Sequence, residues 1–283
     1  MVADKTALGD RMKGHEAATR ALLPRRTYSV VRVDGRAFHS FLRHAERPFD
    51  GRVSAAMNAV AEALCAEMSG AAFAFTQSDE CSVLLTDFDS HGTQPWFGGV
   101  VQKIASIAGS VATVAFNDLY KPAYDFSGEG RTKYATFDAR VFTIPDPVEV
   151  ANYFLWRQRD CVRNSITMAA QAKFSHKQLH GKSTGEMQEM LWSQHGVNWN
   201  DYPAGVKRGR VCVRHTEEQD VIWTDKRTQE QATTRALRSR WMSEAAPHFT
   251  AQPGDWLASV IPPMPSLVPV LAERLATTEE ETT

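Results

Sequence analysis

Four cysteines in 283 residues, Cys65, Cys81, Cys161 and Cys212, stand too far apart for a CxxC pair or any zinc spacing. So few, in a chain of this size, do not make a disulfide framework. They are expected to be free thiols in a reducing cytoplasm. Long apolar runs are also missing: nothing reaches the roughly 18–20 uncharged apolar residues of a membrane span. The first residues include Asp4, Lys5, Asp10, Arg11 and Lys13 and do not read as a signal peptide. Charge of one sign is lacking too, with 32 Lys and Arg against 33 Asp and Glu. That balance excludes nothing about nucleic acid, because phosphate binding depends on local basic clusters. No segment repeats. What remains is an ordinary globular composition, 43% hydrophobic and 23% charged, in a chain long enough to bury a substantial core.

The pattern along the chain is more informative. Thr27 to Val33 is a β-rich run that ends at the turn signal Asp34-Gly35. From Val53 to Met68 apolar residues recur at three- and four-residue steps, the mark of an amphipathic helix. Phe73–Thr76 and Cys81–Leu85 flank the polar run Gln77-Ser78-Asp79-Glu80 and read as two strands joined by a tight acidic turn. A second helix is expected from Trp96 to about Phe116, and a strand from Phe137 to Ile144. Asp146-Pro147 opens a long helix that runs past Ala172, with Asp as N-cap and Pro at the first helical position. A shorter helix begins at Ser183 or Thr184 and ends at Gly196. The polar, basic stretch from Gln219 to Met242 is read as a helix that touches RNA or a neighbouring subunit. Residues 262–283, with several prolines and then only Thr and Glu from 277 on, are read as a disordered tail.

The order from Thr27 to Ile144 is β-α-β-β-α-β. It predicts an α+β fold: a ferredoxin-like antiparallel sheet with helices on one face, followed by a mostly helical C-terminal extension. The expected division is a catalytic domain over 1–145, a helical RNA-contacting region over 146–261 and the tail. In this topology the first and third strands lie antiparallel, so the end of one meets the start of the other. Asp34 and the pair Asp79-Glu80 are thereby brought to one sheet edge. Two or three carboxylates there repel one another unless a cation sits between them. Mg²⁺ suits, because it takes oxygen ligands and leaves room for phosphate and water. Two such ions could stabilise both partners of an in-line displacement, and Gly35 leaves its backbone open to a metal or phosphate. Each element taken singly is also an ordinary turn.

The residues Val31 to His39 (VRVDGRAFH) and Gln77 to Glu80 resemble two signature blocks of the tRNA-His guanylyltransferase-like family. Phe137–Val141 and Tyr153–Cys161 resemble its next two, in the right order, and the likeness spans Ala7 to Val213. The resemblance implies a palm-type polymerase fold working in the 3′-to-5′ direction on the 5′ end of a tRNA. It implies two Mg²⁺ on Asp34, Asp79 and the Gly35 carbonyl, with Glu80 in support. It places Arg32, Arg47, Ser78 and Lys103 on a triphosphate, and Arg36, Ala37, Phe38 and His39 around the phosphates and base. ATP or GTP would activate a 5′-monophosphate end, and members assemble as tetramers, dimers of dimers. After Cys161, however, the run Val162 to Ala169 keeps only Asn164 of the segment tied to tRNA-His recognition. That favours the branch of bacteria, archaea and phages that repairs truncated 5′ ends.

Basic residues gather on the long helix and its exit, at Arg157, Arg159, Arg163, Lys173, His176, Lys177 and Lys182, and again at Lys207, Arg208, Arg210 and Arg214. With Asn164 they are candidate RNA contacts, and each is equally readable as part of a solvated face. Trp156, Trp192 and Trp199 fit core packing better than base stacking, and His39, His176 and His180 have no metal-ligand spacing. Two other functions share the topology. A nucleotide cyclase or dinucleotide synthase would use the same acids and make its product from NTP alone. A non-catalytic RNA-binding module would carry exposed aromatics on its central strands, where this chain has Val and acidic ends.

Overall fold

The computed structural model describes residues 6–90, 92–120, 134–224, 226–227, 230–250 and 256–265. In chain order the elements are α1 (Ala7–Ala17), β1 (Tyr28–Gly35), α2 (Phe38–Phe41), α3 (Gly51–Glu67), β2 (Ala71–Gln77), β3 (Glu80–Leu85), α4 (Val101–Leu119), β4 (Phe137–Ile144), α5 (Pro147–Gln171), α6 (His176–Leu179), α7 (Thr184–His195), α8 (Ala204–Lys207), β5 (Arg210–Thr224), β6 (Gln231–Ala245) and α9 (Trp256–Val260). The tail expected over 262–283 lies outside the described residues from 266 on. Among the described residues no helix is long and apolar enough to cross a membrane, and all four cysteines are buried and free.

The six strands run in the order β4-β1-β3-β2-β5-β6. The first four are the palm arrangement expected from β-α-β-β-α-β. One face packs Val31, Val33, Cys81 and Val83 against Met57, Val60 and Leu64 of α3 and Ile104, Ala108 and Phe116 of α4. On the other face Val30, Phe73, Phe75 and Leu84 meet Val150 and Phe154 of α5. Strand side chains alternate between faces, so β1 and β3 are buried on both sides and read as nearly continuous apolar runs. The α5 N-terminus is set as its sequence predicts: the Asp146 carboxylate accepts from Val148 N–H at 2.7 Å, and Pro147 takes a position that needs no donor.

Two secondary-structure expectations fail, and Trp156 and Trp192, expected in the core, are 53% and 60% exposed. The described residues of 219–242 are not helical. Those of 219–224 and 231–242 belong to β5 and β6, which pair from Arg210↔Ala245 to Thr224↔Gln231. Only Arg210, Val211 and Cys212 pair with β2, so beyond Val213 the hairpin leaves the sheet as a two-stranded arm roughly 35 Å long at strand rise. Both its faces are largely wet, which erases the hydrophobic alternation that marks a strand. The helix expected from Trp96 starts instead at Val101, because Phe97 (φ 49°) and Gly98 (φ 62°) turn left-handed. The Gly98-Gly99 pair permits that break.

At the head of α3 the Asp50 carboxylate accepts from the Arg52 N–H at 2.9 Å and from Glu46 N–H at 3.2 Å, and it pairs with the Arg52 guanidinium at 2.7 Å. The Arg52 hydrogen bond above all, aided by these backbone donors, holds its pKa down to about 2, against an opposing push from burial. A depressed carboxylate contributes stability above its unfolded pKa and loses it as pH falls through the folded one. Asp50→Ala is expected to cost about 1–2 kcal/mol at neutral pH. Urea titrations should show the gap from wild type closing as pH falls from roughly 4 towards 2.

Candidate active site

Register sets the site. Asp34 lies opposite Glu80 on β3 and opposite Asp138 on β4. Directly opposed residues share a face, so Asp34, Glu80, Arg32, Ser82, Asp138 and Arg140 all lie on the α5 side of the sheet. The β2–β3 connection is a two-residue turn, Ser78-Asp79, in which Ser78 holds a left-handed φ of 48°. A non-glycine residue there costs roughly 1–3 kcal/mol, a strain that tends to gather at functional sites. The Asp79 carbonyl accepts from Gly35 N–H at 3.0 Å, which ties the turn to the end of β1.

Helix α5 closes over this edge with arginine. Arg157 donates Nε to Glu80 Oε1 at 2.8 Å and Nη2 to Oε2 at 3.0 Å, and also reaches Asp160 at 2.7 Å. Arg32 Nη2 lies 2.6 Å from Glu80 and 3.4 Å from Asp34. Asp160 accepts further from Arg163, Asn164 and Gln77. Tyr153 hydroxyl and Ser82 Oγ are 3.0 Å apart beneath the network. The side chains of Arg157 and Glu80 are only 5% and 8% exposed, so this is a buried ion pair with both carboxylate oxygens satisfied. Burial pushes the Glu80 carboxyl upward, and Arg157 and Arg32 oppose it. Burial also raises Asp79, helped by the charge of Asp34 and countered by hydrogen bonds from its own backbone and Ser78 and by Arg32.

These facts test the residues against a hard cation. Asp34 and Asp79 offer oxygen, and Asp79, half-buried, carries a desolvation cost that a cation would relieve. Glu80 is committed to two arginines, and among the described residues no three His, Cys, Asp or Glu side chains converge as on a metal. Two carboxylates suffice for Mg²⁺, which keeps water and substrate phosphate for its remaining positions. The donor set fits.

Arg36, Ala37 and His39 are exposed on the turn from β1 into α2, and Arg47 lines a cleft beside Ser78. Leu42, Val53, Met57, Met168 and Val206 supply apolar walls to that cleft, and Gln77, Asn164 and Arg210 supply polar ones. Two expected site residues, Phe38 and Arg157, are engaged elsewhere, and Lys103 rests on an aromatic ring. The ring of Phe38 is in the core against Phe116 and Phe137, with centroids 5.2 and 5.1 Å away. It also gives Gly35 its reason, since a Cβ there would meet the ring at 2.3 Å. Lys103 sits over Phe97 at 4.5 Å, near the start of α4. Arg157, expected on RNA, points inward to Glu80. Arg159, Lys173 and Lys177 are exposed, and Arg163 and Asn164 are exposed while bound to Asp160. Sequence reasoning missed Asp160 as the hub of this network. Its spacing of three from Arg157 and Arg163 and four from Asn164 on one helix was the available signal.

A palm sheet with one carboxylate ending its first strand and another in the adjoining hairpin turn defines an enzyme of nucleotidyl transfer. The chain belongs to the tRNA-His guanylyltransferase family: the model described as "tRNAHis guanylyltransferase" matches residues 9–145 and "Thg1 C terminal domain" matches residues 148–248. It is 32% identical over 213 residues to the tRNA(His) guanylyltransferase of Debaryomyces hansenii, covering 69% of this chain and 78% of that one. A bacterial tRNA(His) guanylyltransferase-like protein solved in complex with ATP is 36% identical, with a TM-score of 0.74 over 90% of this chain and 99% of the other. A second such structure, in complex with GTP, gives 32% identity and a TM-score of 0.68 over the same shares.

Removing one partner of a buried pair strands the other charge, at about 3–5 kcal/mol. Arg157→Met is expected to lose that much stability in chemical denaturation, and adding Glu80→Gln to it should restore part of the loss. Additive losses would show that the pair is not coupled.

Proposed function

We propose that the protein is a Mg²⁺-dependent 3′–5′ nucleotidyltransferase that adds nucleotides to the 5′ end of a tRNA, repairing truncated ends. The observation that carries the reading is that the end of β1, Asp34-Gly35, meets the Ser78-Asp79 turn at one palm edge, with Gly35 N–H bonded to the Asp79 carbonyl. Asp34, Asp79 and the Gly35 carbonyl would hold two Mg²⁺, whose chemistry is to neutralise charge on the attacking and leaving oxygens. Glu80 supports by anchoring Arg32 and Arg157 to the strand that carries the turn. Arg32, Arg47 and Ser78 bind triphosphate, and Arg36, Ala37 and His39 border the nucleotide.

ATP or GTP first activates the RNA: an oxygen of its 5′-monophosphate attacks the α-phosphorus, and pyrophosphate leaves. The 3′-hydroxyl of an incoming NTP then attacks the RNA 5′-phosphorus and displaces the activating nucleotide as its monophosphate. Arg159, Arg163, Asn164, Lys173 and Lys177 contact the tRNA backbone. The retention of Asn164 alone from the tRNA-His segment supports repair over strict tRNA-His maturation, and the work takes place in the cytoplasm.

Assembly as a homotetramer is part of this reading. The β5–β6 arm supports it, because a lone two-stranded ribbon is marginal in water and its Ile222 and Leu237 are 68% and 69% exposed. Changing both to Asp should yield a smaller species in light scattering. An unchanged mass would move the interface off the arm.

The decisive assay gives the protein Mg²⁺, labelled NTPs and a tRNA lacking its first 5′ nucleotide. Template-matched 5′ extension is expected. Asp79→Ala and Asp34→Ala should lower it on the order of 100- to 1,000-fold, equivalent to several kcal/mol of charge stabilisation. EDTA should abolish extension and added Mg²⁺ restore it. A cyclic product from NTP alone, with no extension, would overturn the proposal.

A further inference from the structure

The cleft beside the Ser78-Asp79 turn holds two polar groups that the other described residues leave incompletely satisfied, the Arg210 guanidinium and Gln77 Oε1. Arg210 opens β5, its backbone fixed between Thr76 and Ala245, and its side chain lines the cleft. It is partly buried, and among the described residues its one electrostatic partner is the thiol of Cys161. Burial lowers its pKa, as expected of a cation without a counter-ion. Gly205 leaves room for it, since a Cβ there would lie 3.3 Å from Nη1.

Gln77, the last residue of β2, lines the same cleft and is 5% exposed. Its Nε2 reaches Asp160 at 3.5 Å, while Oε1 is buried with no donor. Buried acceptors and half-buried cations are costly unless something completes them. The rest of the basic cluster is disposed otherwise. Lys207 is buried on the Asn200 carbonyl and over Trp199, Arg214 is exposed, and neither they nor Arg208 line the cleft.

We infer that Arg210 and Gln77 form a phosphate subsite: the guanidinium takes the oxygens of a phosphate ester, and Gln77 Oε1 accepts a hydroxyl or N–H from the nucleotide unit that carries it. The inference rests on the nucleotidyl-transfer reading and adds a residue to it. Two sources share this chemistry, the triphosphate of a bound NTP and the 5′ phosphate of the RNA. Arginine's planar fork suits either.

The test uses the full chain and two variants, Arg210→Met, which keeps the stem and removes the charge, and Arg210→Lys. Binding of ATP, of 5′-monophosphate tRNA and of 5′-hydroxyl tRNA is measured by calorimetry, beside thermal melting. Because no ion pair is broken, Arg210→Met should melt no lower than wild type. It should bind at least ten-fold more weakly to ATP if the subsite takes the triphosphate. If the subsite takes the RNA end, it should lose the preference for 5′-phosphate over 5′-hydroxyl tRNA instead. Arg210→Lys should recover part of either loss. Binding of every ligand within two-fold of wild type overturns the subsite and leaves the nucleotidyl-transfer reading standing, as does weakened binding that only follows a lower melting temperature. A wild type that binds neither ATP nor tRNA overturns both.

Discussion

Glu80 sits between Arg157 of α5 and Arg32 of β1, and the acidic edge depends on that arrangement. A lone buried carboxylate at the start of β3 would protonate or open the sheet to water. Held bidentately by Arg157, which opposes the upward push of burial, it fastens α5 to the strand that carries the Ser78-Asp79 turn. Arg32 joins the same carboxylate to Asp34. One pair of oxygens thus couples the central strand, the hairpin and the long helix. Asp34 and Asp79 are left as the carboxylates not locked in this pair.

The division of labour among the acids follows from this. Asp34 has only long contacts to Arg32 and Arg140, at 3.4 and 3.8 Å. Asp79 is half-buried without a close cation, and loss of water pushes its pKa up. Glu80, adjacent in sequence, has the opposite surroundings. The strained Ser78 separates the two roles, because it turns the chain within two residues and lets neighbouring carboxylates face different partners. The cleft that runs from this turn to Arg210 continues the same logic: positive groups are placed where negative ones are to arrive.

Much of this was legible beforehand. The order β-α-β-β-α-β, the helix start at Asp146-Pro147 and the meeting of Asp34 with Glu80 all came from local signals, namely turn residues, caps and hydrophobic period. Those signals act within a few residues, and the pairing rule for split βαβ units does the rest. The arm was missed because a strand wet on both faces carries no period, and its run of charges read as a solvated helix. The early break at Phe97 turned on a glycine pair whose effect depends on how the preceding loop packs.

By itself the sequence determined the strand order, the identity of the acids and the edge on which they meet, since each depends on chain direction and short-range chemistry. Tertiary structure alone decided how those residues are used. It put Phe38 in the core and turned Arg157 inward as the partner of Glu80. Among the described residues it also left Arg210 without a counter-ion and Gln77 Oε1 without a donor in the cleft. An arginine on an amphipathic helix looks the same in sequence whether it faces solvent or a carboxylate. Burial and counter-charge are properties of the assembled fold, and they are what separate a phosphate contact from a structural ion pair.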